Sequence, residues 1–140
     1  MVKINYLDKK LSFALSEPDG GTDVARAMTT RADTTDKGFV LNGQKLWTSG
    51  ASMADYVIVL ARTSPIENSP VRGVSMFLVP TSAPGFDVHE LDTFGIHSLS
   101  TCELFFDSVE LTKDALLGEF DKGMYQIFAA INREGLNATA

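Results

Sequence analysis

The sequence predicts a mainly-β fold, a small antiparallel β-barrel or sandwich with one C-terminal helix. Short apolar and β-branched segments alternate with turn residues through most of the 140-residue chain. Residues 57–61 form a continuous apolar run, which predicts a strand buried on both faces. After Gly123 the apolar residues recur at helical spacing instead. Many short strands with regular turns are typical of small barrels and sandwiches.

The strand candidates follow one another along the chain between turn signals. Asn42-Gly43 predicts a tight hairpin, because a type I′ turn needs positive φ at both central positions. Asp36-Lys37-Gly38 and Ser82-Ala83-Pro84-Gly85 mark two further turns. The predicted strands are 11–16, 25–32, 38–41, 44–48, 56–62, 74–79, 86–90, 101–106 and 109–111.

The C-terminal segment predicts a helix. Met124, Ile127, Phe128 and Ile131 fall on one helical face, and Asp121 is a candidate N-cap. We expect this helix to run to the last residue as the start of a longer helical region. The sequence therefore divides into a linker at 1–10, a β domain at 11–120 and a truncated helical region at 121–140.

Composition limits the classes of protein. With 44% hydrophobic and 21% charged residues, the chain has the profile of a folded globular domain. A net charge of −6 without a basic run argues against binding nucleic acid or an anionic membrane surface. No apolar stretch has the length of a membrane span, and no secretory signal is recognisable at the start. A single cysteine, Cys102, allows no disulfide within the chain and fits a reducing compartment such as the cytosol.

The segment 13–23 forms the first candidate ligand motif. Pro18 and the Gly-Gly pair force a turn, and Gly21 lets the backbone approach a ligand closely. Ser16 and Thr22 offer hydroxyls, and the free N–H groups of such a turn can bind phosphate oxygens. Taken alone, the segment is better explained as an ordinary surface turn.

The segment 45–50, Lys-Leu-Trp-Thr-Ser-Gly, forms the second motif. Trp47 is the only tryptophan, and core filling is one explanation for it. On a strand, Thr48 would point away from Trp47 and Ser49 would return to its side. A flat ring packed near Trp47 would then meet the hydroxyl or backbone N–H of Ser49. That arrangement suits an isoalloxazine, whose N5 needs a hydrogen-bond donor when it accepts hydride.

Both motifs resemble those of the acyl-CoA dehydrogenase family. Residues 13–23 are similar to its aromatic-x-x-[Ser/Thr]-Glu-Pro-x-x-Gly-[Ser/Thr]-Asp segment, and residues 42–49 to its Asn-Gly-x-Lys-x-Trp-Ile-[Thr/Ser] strand. A Thr stands here where the family has Ile. Further similar segments follow in family order at 54–55, 62–63, 77–80, 84–86, 105–109 and 116–119. An ordered series of this kind is far more specific than either motif.

The resemblance implies an FAD-dependent enzyme that oxidises the α,β C–C bond of an acyl-CoA thioester. In the family a carboxylate removes the α-proton while the β-hydride passes to flavin N5, and the middle β domain supplies one wall of the site. The residues that correspond to flavin contacts lie in the two motifs. They are Phe13, Leu15 and Ser16 at the ring and its polar edge, Gly21 and Thr22 near the diphosphate or the CoA moiety, Trp47 beside the ring, and Ser49 near N5, with Thr48 as the alternative hydroxyl.

The position of the catalytic base stays open. Most family members place a glutamate in a later helical domain, whereas a minority place it on the helix after the β domain, just before an arginine. Glu134 falls on that second position, but Gly135 stands where the arginine would be. A solvated Glu134 beside Arg133, with the base outside this chain, is the favoured interpretation.

The resemblance also implies the partners of the complete protein: an acyl-CoA substrate, an electron acceptor such as an electron-transfer flavoprotein, and further copies in a homo-oligomer. The compartment would be the cytoplasm, or the mitochondrial matrix in a eukaryote. His89 and His97 lack neighbours at metal-ligand spacing, so no metal is expected. An acyl-CoA oxidase, a flavin monooxygenase and a non-catalytic β module are the alternatives. The isolated chain is expected to bind FAD weakly and to lack activity.

Overall fold

The computed structural model describes residues 8–94 and 99–137, without the side chains of 133–137. A short helix, α1 (Val24–Ala27), follows the first strand, and a longer one, α2 (Gly123–Asn137), ends the described part. The strands are β1 (Leu11–Ala14), β2 (Arg31–Thr34), β3 (Gly38–Ser49), β4 (Tyr56–Arg62), β5 (Val74–Pro80), β6 (Phe86–Leu91), β7 (Thr101–Thr112) and β8 (Leu116–Leu117). The predicted mainly-β class with one main helix is confirmed.

All of these strands belong to one sheet, in the order β6-β7-β3-β2-β4-β5-β8, with β1 paired to β4. Most pairings are antiparallel, but β1 and β2 both run parallel to β4. β1 pairs with residues 56–59 and β2 meets only Arg62, so the two share one edge of β4. β1 therefore lies beside the second half of β3, while β2 pairs with its first half.

The core has two parts, one on each face of β4. Val57, Val59 and Ala61 belong to the larger cluster, together with residues of β3, β5, β6 and β7. Leu60 points the other way, into a smaller cluster with Met28 of the segment after α1 and Met124 of α2. Strands from distant positions in the sheet share the larger cluster, so the sheet curves around it. The predicted burial of the 57–61 run is confirmed for Val57 and for residues 59–61, whereas Ile58 is half-buried.

The predicted hairpin at Asn42-Gly43 is wrong, because β3 continues through both residues. The register with β7 shifts between the pairs Leu41–Val109 and Gly43–Phe106, so the extra residue of this bulge lies in β7, opposite the place where a turn was expected. Gly43 has φ +145°, and a Cβ there would lie 2.5 Å from Thr30 Oγ1. The glycine therefore permits close contact with Thr30. The predicted strands 101–106 and 109–111 likewise form one strand, β7.

The predicted strand 25–32 is also wrong. Its first residues form α1, and only Arg31–Thr34 is a strand. The Asp23 carboxylate accepts the Arg26 backbone N–H at 3.4 Å, and the buried residues Ala25 and Met28 are three positions apart. Helical spacing and a capping carboxylate decide the conformation here.

Asp121 is not the N-cap of α2. It has φ +64°, and its carboxylate accepts the hydroxyls of Thr63 at 2.6 Å and Ser64 at 2.7 Å. Its backbone N–H donates to Ser75 Oγ at 2.8 Å. The carboxylate thus joins the start of α2 to the loop after β4 instead of capping the helix.

Of the predicted linker, residues 1–7 lie outside the described part. Lys10 exchanges hydrogen bonds with Asp55, through its N–H to Oδ2 at 2.8 Å and its carbonyl from the Asp55 N–H at 2.9 Å. The domain boundaries themselves stay a prediction. Neither described helix is long and apolar enough to cross a membrane.

The close contact between Gly43 and Thr30 can be tested with Gly43→Ala. The new methyl would collide with Thr30, at a backbone angle that side chains disfavour, so we expect a loss of about 1–3 kcal/mol in the free energy of unfolding, measured by urea denaturation. Gly21→Ala is the matched control, because a Cβ there meets nothing within 4 Å. Equal stability of the two variants would contradict the close contact.

Candidate functional site

The structure brings the two sequence motifs together. The Leu46 N–H of β3 donates to the Ser16 carbonyl at 2.9 Å, and Ser12 Oγ donates to the Ser49 carbonyl at 2.7 Å. These bonds join the segment 12–16 to the segment 46–49 along its length. The contact follows from the position of β1 beside the second half of β3.

A second bulge, which lies in β3 itself, sets the direction of Trp47. Lys45 pairs with Leu104 of β7 and Thr48 with Cys102, so β3 carries one extra residue in this interval. Trp47 adopts a left-handed backbone with φ +61°. Within the same interval the Leu46 N–H bonds to Ser16, outside the β3–β7 ladder.

Trp47 does not fill the core, since the residue is 62% exposed. Ser49 is exposed as well, whereas Thr48 is buried, as strand alternation predicts. Ser49 therefore offers the hydroxyl on the Trp47 side, and Thr48, the alternative, points into the protein. Phe13 is 41% exposed between two buried residues of β1, and Ser12 of the same strand bonds to Ser49, so two aromatic side chains and a serine point outwards from neighbouring strands. We call Phe13, Trp47 and Ser49 the aromatic wall.

The remaining predicted contacts lie around the first motif. Ser16 is half-buried, and Leu15 is half-buried against the smaller core cluster. Gly21 and Thr22 are exposed in the turn before α1, where the Gly20 N–H donates to the Glu17 carbonyl at 3.1 Å. A concavity among the described residues lies elsewhere, beside Ser64 and Asp121. The aromatic wall is thus an open face and not a closed pocket.

A buried ion pair lies directly beneath the junction of the motifs. Lys45 Nζ is 2.9 Å from Glu17 Oε1, and the two side chains are 0% and 2% exposed. Lys45 Nζ also donates to the Leu15 carbonyl at 3.1 Å. One ammonium group therefore holds both the carboxylate and the backbone of the first motif.

The Glu17 carboxylate is saturated with donors. Oε1 accepts Lys45 Nζ and the Thr30 N–H at 3.0 Å, and Oε2 accepts the N–H and the hydroxyl of Thr29, both at 2.7 Å. Thr30 in turn donates its hydroxyl to the Gln44 carbonyl at 3.1 Å. The carboxylate thus joins the first motif to the segment between α1 and β2, and Thr30 joins that segment to β3.

The pKa of each partner reflects this environment. Burial alone would raise the pKa of Glu17, but the attraction of Lys45 and the hydrogen bonds from Thr29, Thr30 and Lys45 outweigh it and lower the pKa from 4.5 to about 2. Burial lowers the pKa of Lys45 from 10.5 to about 8, against the attraction and hydrogen bond of Glu17. Both groups carry charge at neutral pH.

Comparison with known proteins identifies the family of this fold and site. Residues 12–109 match the family model described as the acyl-CoA dehydrogenase middle domain. The chain belongs to the acyl-CoA dehydrogenase family. The resemblance seen in the two motifs is therefore confirmed, and the described sheet is the family's middle domain.

Curated relatives show the same. The chain is 36% identical to a mitochondrial 2-methylacyl-CoA dehydrogenase of Solanum tuberosum, over 96% of this chain and 34% of the relative. It is 37% identical to a glutaryl-CoA dehydrogenase of Desulfococcus multivorans, over 91% of this chain and 32% of the relative. The chain spans about a third of the length of these acyl-CoA dehydrogenases.

Solved structures agree in fold. A crystal structure of an acyl-CoA dehydrogenase from Geobacillus kaustophilus superposes with a TM-score of 0.83 at 33% identity, over 89% of this chain and 33% of that one. The likeness extends through the sheet that carries both motifs.

Two predicted features of this acyl-CoA dehydrogenase domain lie at the limits of the described part. Glu134 lies on α2, where the structure gives the backbone alone, and His97 lies outside the described residues. Within residues 8–94 and 99–137, no three His, Cys, Asp or Glu side chains are grouped so that they could hold a metal ion. The flavin contacts and the absence of a metal stay predictions.

Sequence reasoning missed Glu17 and Lys45, although both stand inside the motifs. A signal was present: an acidic residue in one motif and a basic residue in the other, each bordered by residues predicted to face a ligand. If the two motifs are placed side by side, the charges of Glu17 and Lys45 are expected to pair, because buried charges in proteins are paired.

The ion pair predicts sensitivity to acid. In the unfolded chain Glu17 takes up its proton near its pKa of 4.5, whereas in the folded protein its pKa is about 2 and it stays ionised down to that pH. The contribution of Glu17 to the free energy of unfolding is therefore complete above pH 4.5 and is lost as the pH falls from 4.5 to about 2. The loss is on the order of 3 kcal/mol. Urea denaturation at several pH values would measure it, and Glu17→Gln should flatten the dependence in that window. Equal slopes for both proteins would contradict the assignment.

Thr48 predicts a stabilising substitution. Its Oγ1 is buried and has no hydrogen-bond partner among the described residues. Thr48→Val keeps the shape and removes an unpaired hydroxyl, so we expect a gain of about 1 kcal/mol in the free energy of unfolding. Thr63→Val is the matched control: Thr63 Oγ1 donates to Asp121, so its removal should destabilise the protein. A loss of stability in Thr48→Val would show that the hydroxyl has a partner.

Proposed function

We propose that this domain supplies one wall of the FAD site in an enzyme that oxidises the α,β C–C bond of an acyl-CoA thioester. The observation that carries the proposal is the aromatic wall itself: Phe13, Trp47 and Ser49 share one open face where the two family motifs meet. When bound, the flavin supplies the hydride acceptor.

The wall offers suitable chemistry for that role. Phe13 and Trp47 provide flat apolar surface for an isoalloxazine ring. Ser49 provides a hydroxyl on the Trp47 side, where a donor to N5 is needed, and the half-buried Ser16 provides polar groups at the edge of the ring. The exposed turn with Gly21 and Thr22 offers backbone N–H groups and a hydroxyl to a diphosphate or to the CoA moiety.

An open wall is an incomplete site. Ligand sites bury most of a bound ligand, and catalysis requires the reacting atoms to be held within a narrow geometry. Further apolar surface is exposed on α2 at Tyr125, Phe128 and Ile131, which supports a larger protein in which this face is covered. Alone, this domain is proposed to bind FAD weakly and to have no activity.

The proposed base lies outside this chain, with Glu134 as the alternative. Glu134 is on a helix beyond the described site, and Gly135 stands where the family's minority branch has arginine. Loss of acyl-CoA turnover in Glu134→Gln of the complete protein would assign the base to Glu134, and unchanged turnover would remove it.

The proposed partners follow from the relatives. Acyl-CoA thioesters are named as substrates of the relatives, and one structural neighbour at a TM-score of 0.77 is titled an electron transferring flavoprotein. We propose an acyl-CoA substrate, an electron-transfer flavoprotein as acceptor and a homo-oligomer for the complete protein. We propose a cytoplasmic location or, in a eukaryote, the mitochondrial matrix. The second of these is supported by several relatives that are named mitochondrial.

The proposal is tested by comparing the complete protein with the isolated 140-residue chain. FAD fluorescence titration should show tight binding to the complete protein and weak binding to the chain, and acyl-CoA should bleach the bound flavin of the complete protein only. A complete protein that purifies colourless and binds no FAD would contradict the proposal. Rapid reoxidation of the reduced flavin by oxygen would instead indicate an oxidase.

A further inference from the structure

We propose that the Glu17–Lys45 pair is a positioning device that holds the two halves of the aromatic wall in register for the flavin. This inference rests on the proposed function. Both side chains are buried, so neither reaches the exposed face. The pair therefore does not contact a ligand bound on that face. Its effect on a ligand must pass through the backbone that it fixes.

The first step is the placement of the pair. Lys45 is two residues before Trp47, and its ammonium donates to the carbonyl of Leu15, between Phe13 and Glu17. The same ammonium contacts Glu17 Oε1 at 2.9 Å. One side chain of the second motif therefore fixes both a backbone atom and a side chain of the first.

The second step is the strain that the pair must oppose. Trp47 is held in the left-handed region at φ +61°, a conformation that non-glycine residues rarely adopt. Strained residues persist only where the surrounding structure determines them. The hydrogen bond from the Leu46 N–H to the Ser16 carbonyl holds the residue directly before Trp47. The bond from the Lys45 ammonium to the Leu15 carbonyl ties the preceding residue, Lys45, to the first motif.

The third step is the choice of charged residues. An apolar pair of similar volume is often as stable as a buried ion pair, so stability alone does not account for two charges here. Charged hydrogen bonds are directional, however, and this carboxylate accepts from Lys45, Thr29 and Thr30 at once. The network defines one relative position of the two motifs where apolar packing would tolerate several.

The experiment separates position from stability. In the complete protein, Lys45→Met and Glu17→Gln each remove one partner, and the double variant Glu17→Gln/Lys45→Met removes both charges. Three quantities are measured: the thermal midpoint of the apoprotein, the dissociation constant of FAD, and the absorption spectrum of bound FAD.

We expect Lys45→Met to lower the midpoint, because it leaves a buried carboxylate without its cation, and the double variant to regain much of that loss. The double variant should still bind FAD about tenfold or more weakly and with a shifted spectrum, since small displacements of a binding wall have large effects. A double variant with wild-type affinity and spectrum would overturn the inference, and the pair would then be structural only.

Two further variants keep the test decisive. Asp121→Asn is the control, since this carboxylate also joins distant segments by hydrogen bonds, but to the hydroxyls of Thr63 and Ser64 and not to the two motifs. It should lower the midpoint and leave FAD binding unchanged. Thr29→Val removes one hydroxyl donor to Glu17 and replaces the double variant in the test if the double variant does not fold. We expect it to raise the FAD dissociation constant by less than the double variant would, and wild-type binding would overturn the inference.

Failure of the inference and of the proposed function give different results. If the wild-type complete protein binds no FAD, the proposed function fails and the inference with it. If the wild-type protein binds FAD and the variants bind it equally well, only the inference fails.

Discussion

Lys45 and Glu17 make the contact on which this domain's exposed face depends. The ammonium extends from β3 into the protein and meets a carboxylate that already accepts hydrogen bonds from Thr29 and Thr30. Through these bonds three segments converge: the first motif, the segment after α1, and β3. An unpaired charge at this depth would cost several kcal/mol, so neither partner is replaceable alone.

The irregular parts of β3 follow from the same convergence. At Gly43 the strand lies against Thr30 with no room for a side chain between them, and β7 bulges opposite this point. At Trp47 β3 itself bulges, and the Leu46 N–H bonds to Ser16 within that interval. The bulge in β3 thus directs an aromatic residue outwards from the strand.

The result is a wall and not a pocket. Its aromatic side chains project from strands whose opposite sides belong to the core, so the wall is rigid on one side and open on the other. The exposed apolar residues of α2 show a second unpartnered surface on the same chain. Both agree with a middle domain that spans about a third of the length of its relatives.

The sequence by itself determined the class of fold, the family, and that Ser49 and not Thr48 lies on the side of Trp47. β4 has the bounds that its apolar run predicts, and the alternation of Trp47, Thr48 and Ser49 is as strand geometry requires. These features depend on local pattern, which a sequence contains. Only the tertiary structure decided that β3 continues through Asn42-Gly43, that residues 24–27 are helical, and that Asp121 bonds to the loop after β4. It also revealed the Glu17–Lys45 pair. In each case the conformation is decided by a contact with a residue distant in sequence or by a competing local hydrogen bond. A single motif does not show which of these contacts forms.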